Sequence, residues 1–245
     1  MPTQYELIYF DVVALGELSK ALLSYSGVDW KLTLVSNWRD YKPQTPFGQV
    51  PVLREYDPVT GSLVVELAQS GAIEAYLATK FGLNGKTPVE TALVHSICNA
   101  YYDYRELDMR FFFPPNEDAK EKAKIQLENF TKQMVKMHNK LIEQNPSKSG
   151  FYVGEEMTLA DMKAWSIYKW SESTNNHIWY KEEEVPHLVN LIKKVEAHPK
   201  LQEYLNDFNV RWTATLKEEA EQAAKEAAKK AAAAATATAA TAEKN

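Results

Sequence analysis

The chain has 245 residues, 45% of them apolar and 25% charged, with a formal charge of −5, which suits a folded protein of one large or two ordinary domains. The negative balance argues against nucleic acid, whose phosphates call for a clustered basic surface, and a single cysteine, Cys98, excludes an intrachain disulfide framework or a cysteine-based metal cluster. With no basic-then-apolar leader and no run near the roughly 18 apolar residues a bilayer crossing needs, the expected address is the cytosol, without membrane attachment.

In chain order, Tyr5–Phe10 reads as a short strand and Gly16–Ser26 as an amphipathic helix carrying Leu18, Ala21, Leu22 and Tyr25 inward, with Gly27 as its stop signal. Trp30–Val35 is a second strand. A loop through Trp38–Phe47 leads to Pro51–Glu55, and Asp57-Pro58-Val59-Thr60-Gly61 supplies turn chemistry before Ser62–Glu66, so these two strands form a hairpin. Gln69–Phe81 closes the unit as a helix with Ile73, Tyr76 and Leu77 inward. The order βαβ then ββα predicts a small mixed sheet covered by helices.

Beyond Gly82-Leu83-Asn84-Gly85-Lys86 the period changes to 3.6, over about Val89–Phe113, Asp118–Asn145, Leu159–Ser173 and Val185–Ala197. Thr158 with Asp161 makes a capping box, and Met157 and Met162 can staple across it. The expected organisation is a mixed α/β domain over 3–84, an all-helical domain over 88–213 and a low-complexity Ala-rich tail over 216–245. The tail is expected to be partly helical at its start, by alanine propensity, and then solvated and fraying through its Thr-Ala repeats.

Chemistry-bearing residues concentrate in the first domain. Val50-Pro51 heads a strand and leaves backbone groups free for an extended ligand, as in strand addition. Gln69-Ser70 opens a helix, whose orphan N–H groups suit a carboxylate. Trp38 and Lys42, four apart, share a face and can clamp another carboxylate. Tyr9 ends the first strand, where its phenol can reach the crevice beside Pro51. The five histidines show no ligand spacing, so no metal site is expected.

Together, Leu7-Ile8-Tyr9-Phe10, Thr45-Pro46-Phe47-Gly48-Gln49-Val50-Pro51-Val52-Leu53, Ala68-Gln69-Ser70-Gly71-Ala72-Ile73 and Gly154…Met157-Thr158-Leu159-Ala160-Asp161 resemble the cytosolic glutathione transferases over about residues 4–212. The likeness is to the sigma-like, tyrosine-dependent members. It implies a thioredoxin-like first domain, an all-α second domain and a homodimer that takes glutathione as co-substrate, with no metal. It also implies Tyr9 as the donor that holds the glutathione thiolate. Ser70 and Gln69 would bind the γ-glutamyl end, the Val50 backbone beside Pro51 the cysteinyl part, and Trp38, Lys42 and Gln49 the glycyl end. A small hydrophobic electrophile would sit against Phe10, Leu107, Phe111 and Phe112. The implied activity is conjugation for detoxification; the alternative is a glutathione- or hydrophobic-ligand-binding protein with little turnover.

Two departures favour that alternative. Many sigma-type members carry a basic residue where this chain has Leu15. The acidic residue that often reaches across the dimer is displaced too: Asp103 and Glu106 are near its place, and Arg105 occupies it.

Overall fold

The computed structural model describes residues 4–242. Residues up to Leu205 form one compact unit and those from Asn206 a second.

The first unit opens with β1 (Tyr5–Tyr9), α1 (Glu17–Ser26) and β2 (Trp30–Leu34), followed by a short helix α2 (Trp38–Tyr41) and a 3-10 turn over Lys42–Gln44. β3 (Val52–Tyr56) and β4 (Leu63–Ala68) complete the sheet, and α3 (Ser70–Lys80) covers it. Strand order is β2-β1-β3-β4. β1 runs parallel to β2, with Leu7 opposite Leu32, and antiparallel to β3, with Leu7 opposite Leu53. β3 and β4 are the expected hairpin. Its turn is held by Asp57 Oδ1, which accepts from the backbone N–H of Val59 and of Thr60 at 2.9 and 2.7 Å, while Gly61 takes a positive φ of 70°.

β1 is the buried centre of this sheet, all five residues being buried. α1 buries Leu18, Ala21 and Leu22 and packs against α3, and Gly27, at φ 72°, ends that helix as a left-handed cap. Tyr25, expected inward, is only half-buried and meets His198 with ring centroids 5.3 Å apart.

The helical part comprises α4 (Pro88–Phe112), α5 (Glu117–Gln144), α6 (Leu159–Ser171) and α7 (Pro186–Glu196). Capping boxes are formed at both Thr87/Glu90 and Thr158/Asp161, which is why α4 and α6 begin where they do. α6 is buried along most of its length and packs on α1, α3, α4 and α7. α8 (Gln202–Ala242) runs without interruption through residues 213–216, where the tail was expected to begin, and past the Thr-Ala repeats expected to fray. Its alanines, the strongest helix formers, carry the few threonines. In the second unit Phe208 and Trp212 stack at 6.0 Å on one face of this helix. Residues 243–245 of the expected tail lie outside the described residues.

Candidate functional site

A crevice of about 330 Å³ opens where the start of β3, the start of α3 and α2 converge, and Phe10, Leu15, Trp38, Gln49, Val50 and Ser70 are among its walls. A second hollow, of about 340 Å³, shares Leu15, Gln69 and Ser70 with it and continues between α3 and α4 past Asn99 and Tyr102. Each is the size of a small-ligand site. A larger hollow of about 500 Å³ lies at the linker, lined by Gly82, Lys86, Glu90, Asn145 and the 152–158 loop.

The crevice gathers most of the residues singled out above. The Val50-Pro51 bond is cis, and Ile8, Val52 and Ala68 form a buried cluster on which Val50 packs. Gln69 is the cap of α3 and Ser70 its first helical residue, with no side chain capping the helix start. The first N–H groups of α3 therefore have no side-chain acceptor, the state in which a helix N-terminus receives an anion. Gln69 sits at φ 73°, a conformation that disfavours any residue with a Cβ and collects at ligand clamps. Its Nε2 donates to Gln49 Oε1 at 2.9 Å, tying the two lips of the crevice together.

Trp38 meets Phe10 edge-to-face with ring centroids 5.4 Å apart, so two aromatic rings form one wall. Lys42 follows one helical turn after Trp38, its backbone N–H donating to the Trp38 carbonyl. Its side chain lies along Gly48, where a Cβ would come within 3.2 Å of Lys42 Cε. The expected pairing thus puts Trp38 on the wall and Lys42, exposed, beside Gly48.

Tyr9 stands behind the wall instead of on it. It is 4% exposed, and its ring lies so close to Gly16 that a Cβ there would be 2.6 Å from Cδ1. Burial raises the Tyr9 pKa above that of an ordinary phenol, against the lowering effects of the Gly16 and Leu15 backbone and of Arg105, so the group is a neutral phenol at physiological pH.

The substrate group expected on α4 is less concentrated. Phe10 lines the crevice, while Phe112 meets Trp170 at 5.8 Å and Phe111 at 5.2 Å. Lys120 lies 5.8 Å over Phe111, and Leu107 is half-buried. None of these three α4 residues lines either crevice.

The sequence reading did not foresee two positions. Gly16 gives way to the Tyr9 ring, and nothing in the sequence marks a glycine one residue before a helix as a contact. Arg105, read as a displaced dimer residue, is buried and its charge reaches Tyr9; an arginine amid aromatic helix residues was its one signal. Among the described residues no cluster of three or more His, Cys, Asp or Glu could hold a metal, and no helix is long and apolar enough to cross a membrane.

The chain is similar to known proteins over most of its length. Residues 102–208 match the family model for the glutathione S-transferase C-terminal domain. Glutathione S-transferase 1 of Ascaris suum is 35% identical over 209 residues, 80% of this chain and 98% of that protein. Hematopoietic prostaglandin D synthase of Gallus gallus is 32% identical over 80% of this chain and 92% of its own. The crystal structure of monomeric Na-GST-3, a glutathione S-transferase from Necator americanus, superposes with a TM-score of 0.70 at 27% identity, over 84% of this chain and 97% of that one.

Proposed function

The chain belongs to the glutathione S-transferase family, and from that premise we propose that it joins the glutathione thiolate to small hydrophobic electrophiles without a metal. A thiol of pKa about 8.5 is mostly protonated at neutral pH, so the enzyme must favour its anion. The Tyr9 O–H does this by donating to the sulfur. The thiol proton leaves to solvent, the sulfur pair attacks the electrophilic carbon, and the leaving group departs with its own bonding pair.

The observation that carries the reading is the crevice itself. Ser70 and the free N–H groups of α3 take the γ-glutamyl carboxylate, with Gln69 orienting that end. The Val50 backbone pairs with the cysteinyl backbone, and Trp38, Lys42 and Gln49 hold the glycyl end. Phe10 offers the electrophile its apolar face. The packing of Phe112 on Trp170 and of Phe111 beneath Lys120 supports Phe10 over these two as the contact. A cytoplasmic homodimer is part of the reading. The exposed Leu63 and Val64 of β4 and Val89 and Leu93 of α4 are the apolar surface it would cover, and light scattering of purified protein tests it.

Conjugation of an aryl halide and retention on immobilised glutathione test the activity. Tyr9→Phe lowers turnover roughly ten- to a thousandfold while glutathione still binds; unchanged turnover overturns the tyrosine assignment. The alternative, a glutathione-binding protein with little activity, is favoured by the apolar Leu15 on the crevice wall. Retention on glutathione without any turnover establishes it.

A further inference from the structure

The place of the Tyr9 ring is set by the start of α1. Gly16, against which the ring packs, is the residue from which that helix begins, and its carbonyl accepts from the Lys20 N–H at 3.1 Å. The loop that ends there carries Phe10 and Leu15 onto the crevice wall. A shift in the first turn of α1 is therefore a shift in the wall and in the phenol behind it.

That turn is gripped by the last residues of the first unit. The chain enters α8 through a 3-10 turn, Pro199–Leu201, which packs on α1. At the end of α1, Lys200 Nζ lies 4.7 Å over the Tyr25 ring, which His198 also meets. At its start, the buried Tyr204 hydroxyl donates to Glu17 at two points, the backbone carbonyl oxygen at 3.1 Å and Oε1 at 2.9 Å. The Tyr204 ring rests on Trp165 of α6 with centroids 6.2 Å apart, so the hydroxyl is presented from a fixed wall. Glu17 Oε2 accepts from Lys20 Nζ at 3.0 Å, so both carboxylate oxygens are bonded. Apolar packing has no direction and lets a helix slide. A hydrogen bond weakens steeply with distance and angle, and so it fixes the height of the turn.

We propose that Tyr204 is a positioning residue for the conjugation. Through Glu17 it sets the first turn of α1, and through Gly16 it sets the depth of the Tyr9 ring, so that the phenol O–H meets the glutathione sulfur. This rests on the glutathione reading above. The role is geometric: Glu17 and Lys20 are paired at contact distance and lend Tyr9 no net charge.

The experiment is a pH titration of the thiolate absorbance of bound glutathione, with circular dichroism to establish the fold of each variant. Tyr204→Phe removes the hydroxyl and keeps the ring on Trp165. The expected result is a rise of about one unit in the apparent thiol pKa, so that turnover is lost at low pH and returns at high pH. Two controls are expected to titrate as wild type. Thr87→Ala removes the cap of α4 and loosens the fold away from the crevice. Glu17→Gln with Lys20→Met keeps an amide oxygen to accept from Tyr204 and removes the charges beside the Tyr9 ring, where Lys20 Nζ is 6.0 Å from the centroid. A wild-type titration in Tyr204→Phe overturns the proposal. So does an equal shift in either control, which would mark general loosening in the first and an effect of charge in the second. Tyr9→Phe separates the two levels. If it shifts the thiol titration and Tyr204→Phe does not, the site stands and the positioning role falls; if wild-type protein binds no glutathione, both fall.

Discussion

At the scale of single residues the site depends on close approaches that tolerate no added atoms. Tyr9 is wedged against Gly16, where a Cβ would stand 2.6 Å from the ring. Gly16→Ala must therefore displace the Tyr9 ring. We expect it to cost about 1–3 kcal/mol of stability, as overpacking does, and to lower kcat far more than glutathione affinity. Denaturant melts and steady-state kinetics on one preparation measure both; a variant as active as wild type would show that the phenol need not sit there. Gln69 makes the opposite case, because its φ of 73° is tolerated at a cost. Gln69→Gly removes that strain and with it the amide that bonds Gln49. The expected outcome is equal or higher thermal stability with glutathione affinity about tenfold weaker, the loss of about one good hydrogen bond. Weaker binding accompanied by lower stability would mean that the conformation carries no strain.

At the scale of elements, what the sequence showed and what it hid follow from how each element is specified. Helix starts were legible because their caps are local: Thr158 and Asp161 lie three residues apart whatever the rest of the chain does. The hairpin was legible because turn chemistry is also local. α2, with four residues, is too short to show a period. α8 was cut short because its polar alanine tract lacks the apolar stripe by which a helix is read, although propensity alone sustains it. Tyr9 and Phe10 were placed on a strand and Leu15 in the loop after it, yet which of them lines the crevice depends on side-chain direction, which no period encodes. A buried polar link between α4, α5 and the loop before α6 was equally hidden. Tyr101 and Tyr152 bond through their hydroxyls at 2.8 Å, and His138 Nδ1 meets the Tyr152 hydroxyl at 2.9 Å.

Burial of His138 in this link pulls its pKa down from 6.5 to about 4. The folded state then holds fewer protons at this group than the unfolded chain, so its contribution is complete above pH 6.5 and is lost as pH falls towards 4. Asp161 works in the opposite sense, since burial raises its carboxyl from 3.8 to about 6 and acid favours its folded form across that window. Total stability therefore mixes the two, and only a difference isolates the histidine. His138→Gln cannot titrate but can bond Tyr152. Between pH 7 and pH 5 wild type should lose about 2 kcal/mol relative to this variant, read from urea melts of both proteins. A gap that stays constant over that range would show that His138 is not held neutral.

At the scale of the whole first unit, the sheet and the helical bundle are joined by a buried ion pair as well as by apolar packing. Lys163 on α6 donates to both carboxylate oxygens of Glu74 on α3, at 3.1 and 2.8 Å, and the two residues are 5% and 2% exposed. Lys163 also lies 4.6 Å over the ring of Tyr102 on α4, so three helices meet at one charge. α3 is the helix whose start forms the candidate anion site, and the pair fixes that start relative to α4. Leu159 N–H adds a bond to the Leu83 carbonyl at 2.8 Å, between α6 and the linker. Desolvating two charges roughly offsets their attraction, so the pair as a whole adds little stability, whereas one charge left alone in the interior is expensive. Glu74→Leu by itself should cost about 3–5 kcal/mol, and Glu74→Leu with Lys163→Met should recover most of that loss. The double variant should nevertheless bind glutathione more weakly than wild type, because apolar packing restores the stability of the joint without restoring its one geometry. Thermal melts with and without glutathione test both halves of this: if the double variant matches wild type in stability and in its glutathione-induced shift, the ion pair has no part in aligning α3 with the site.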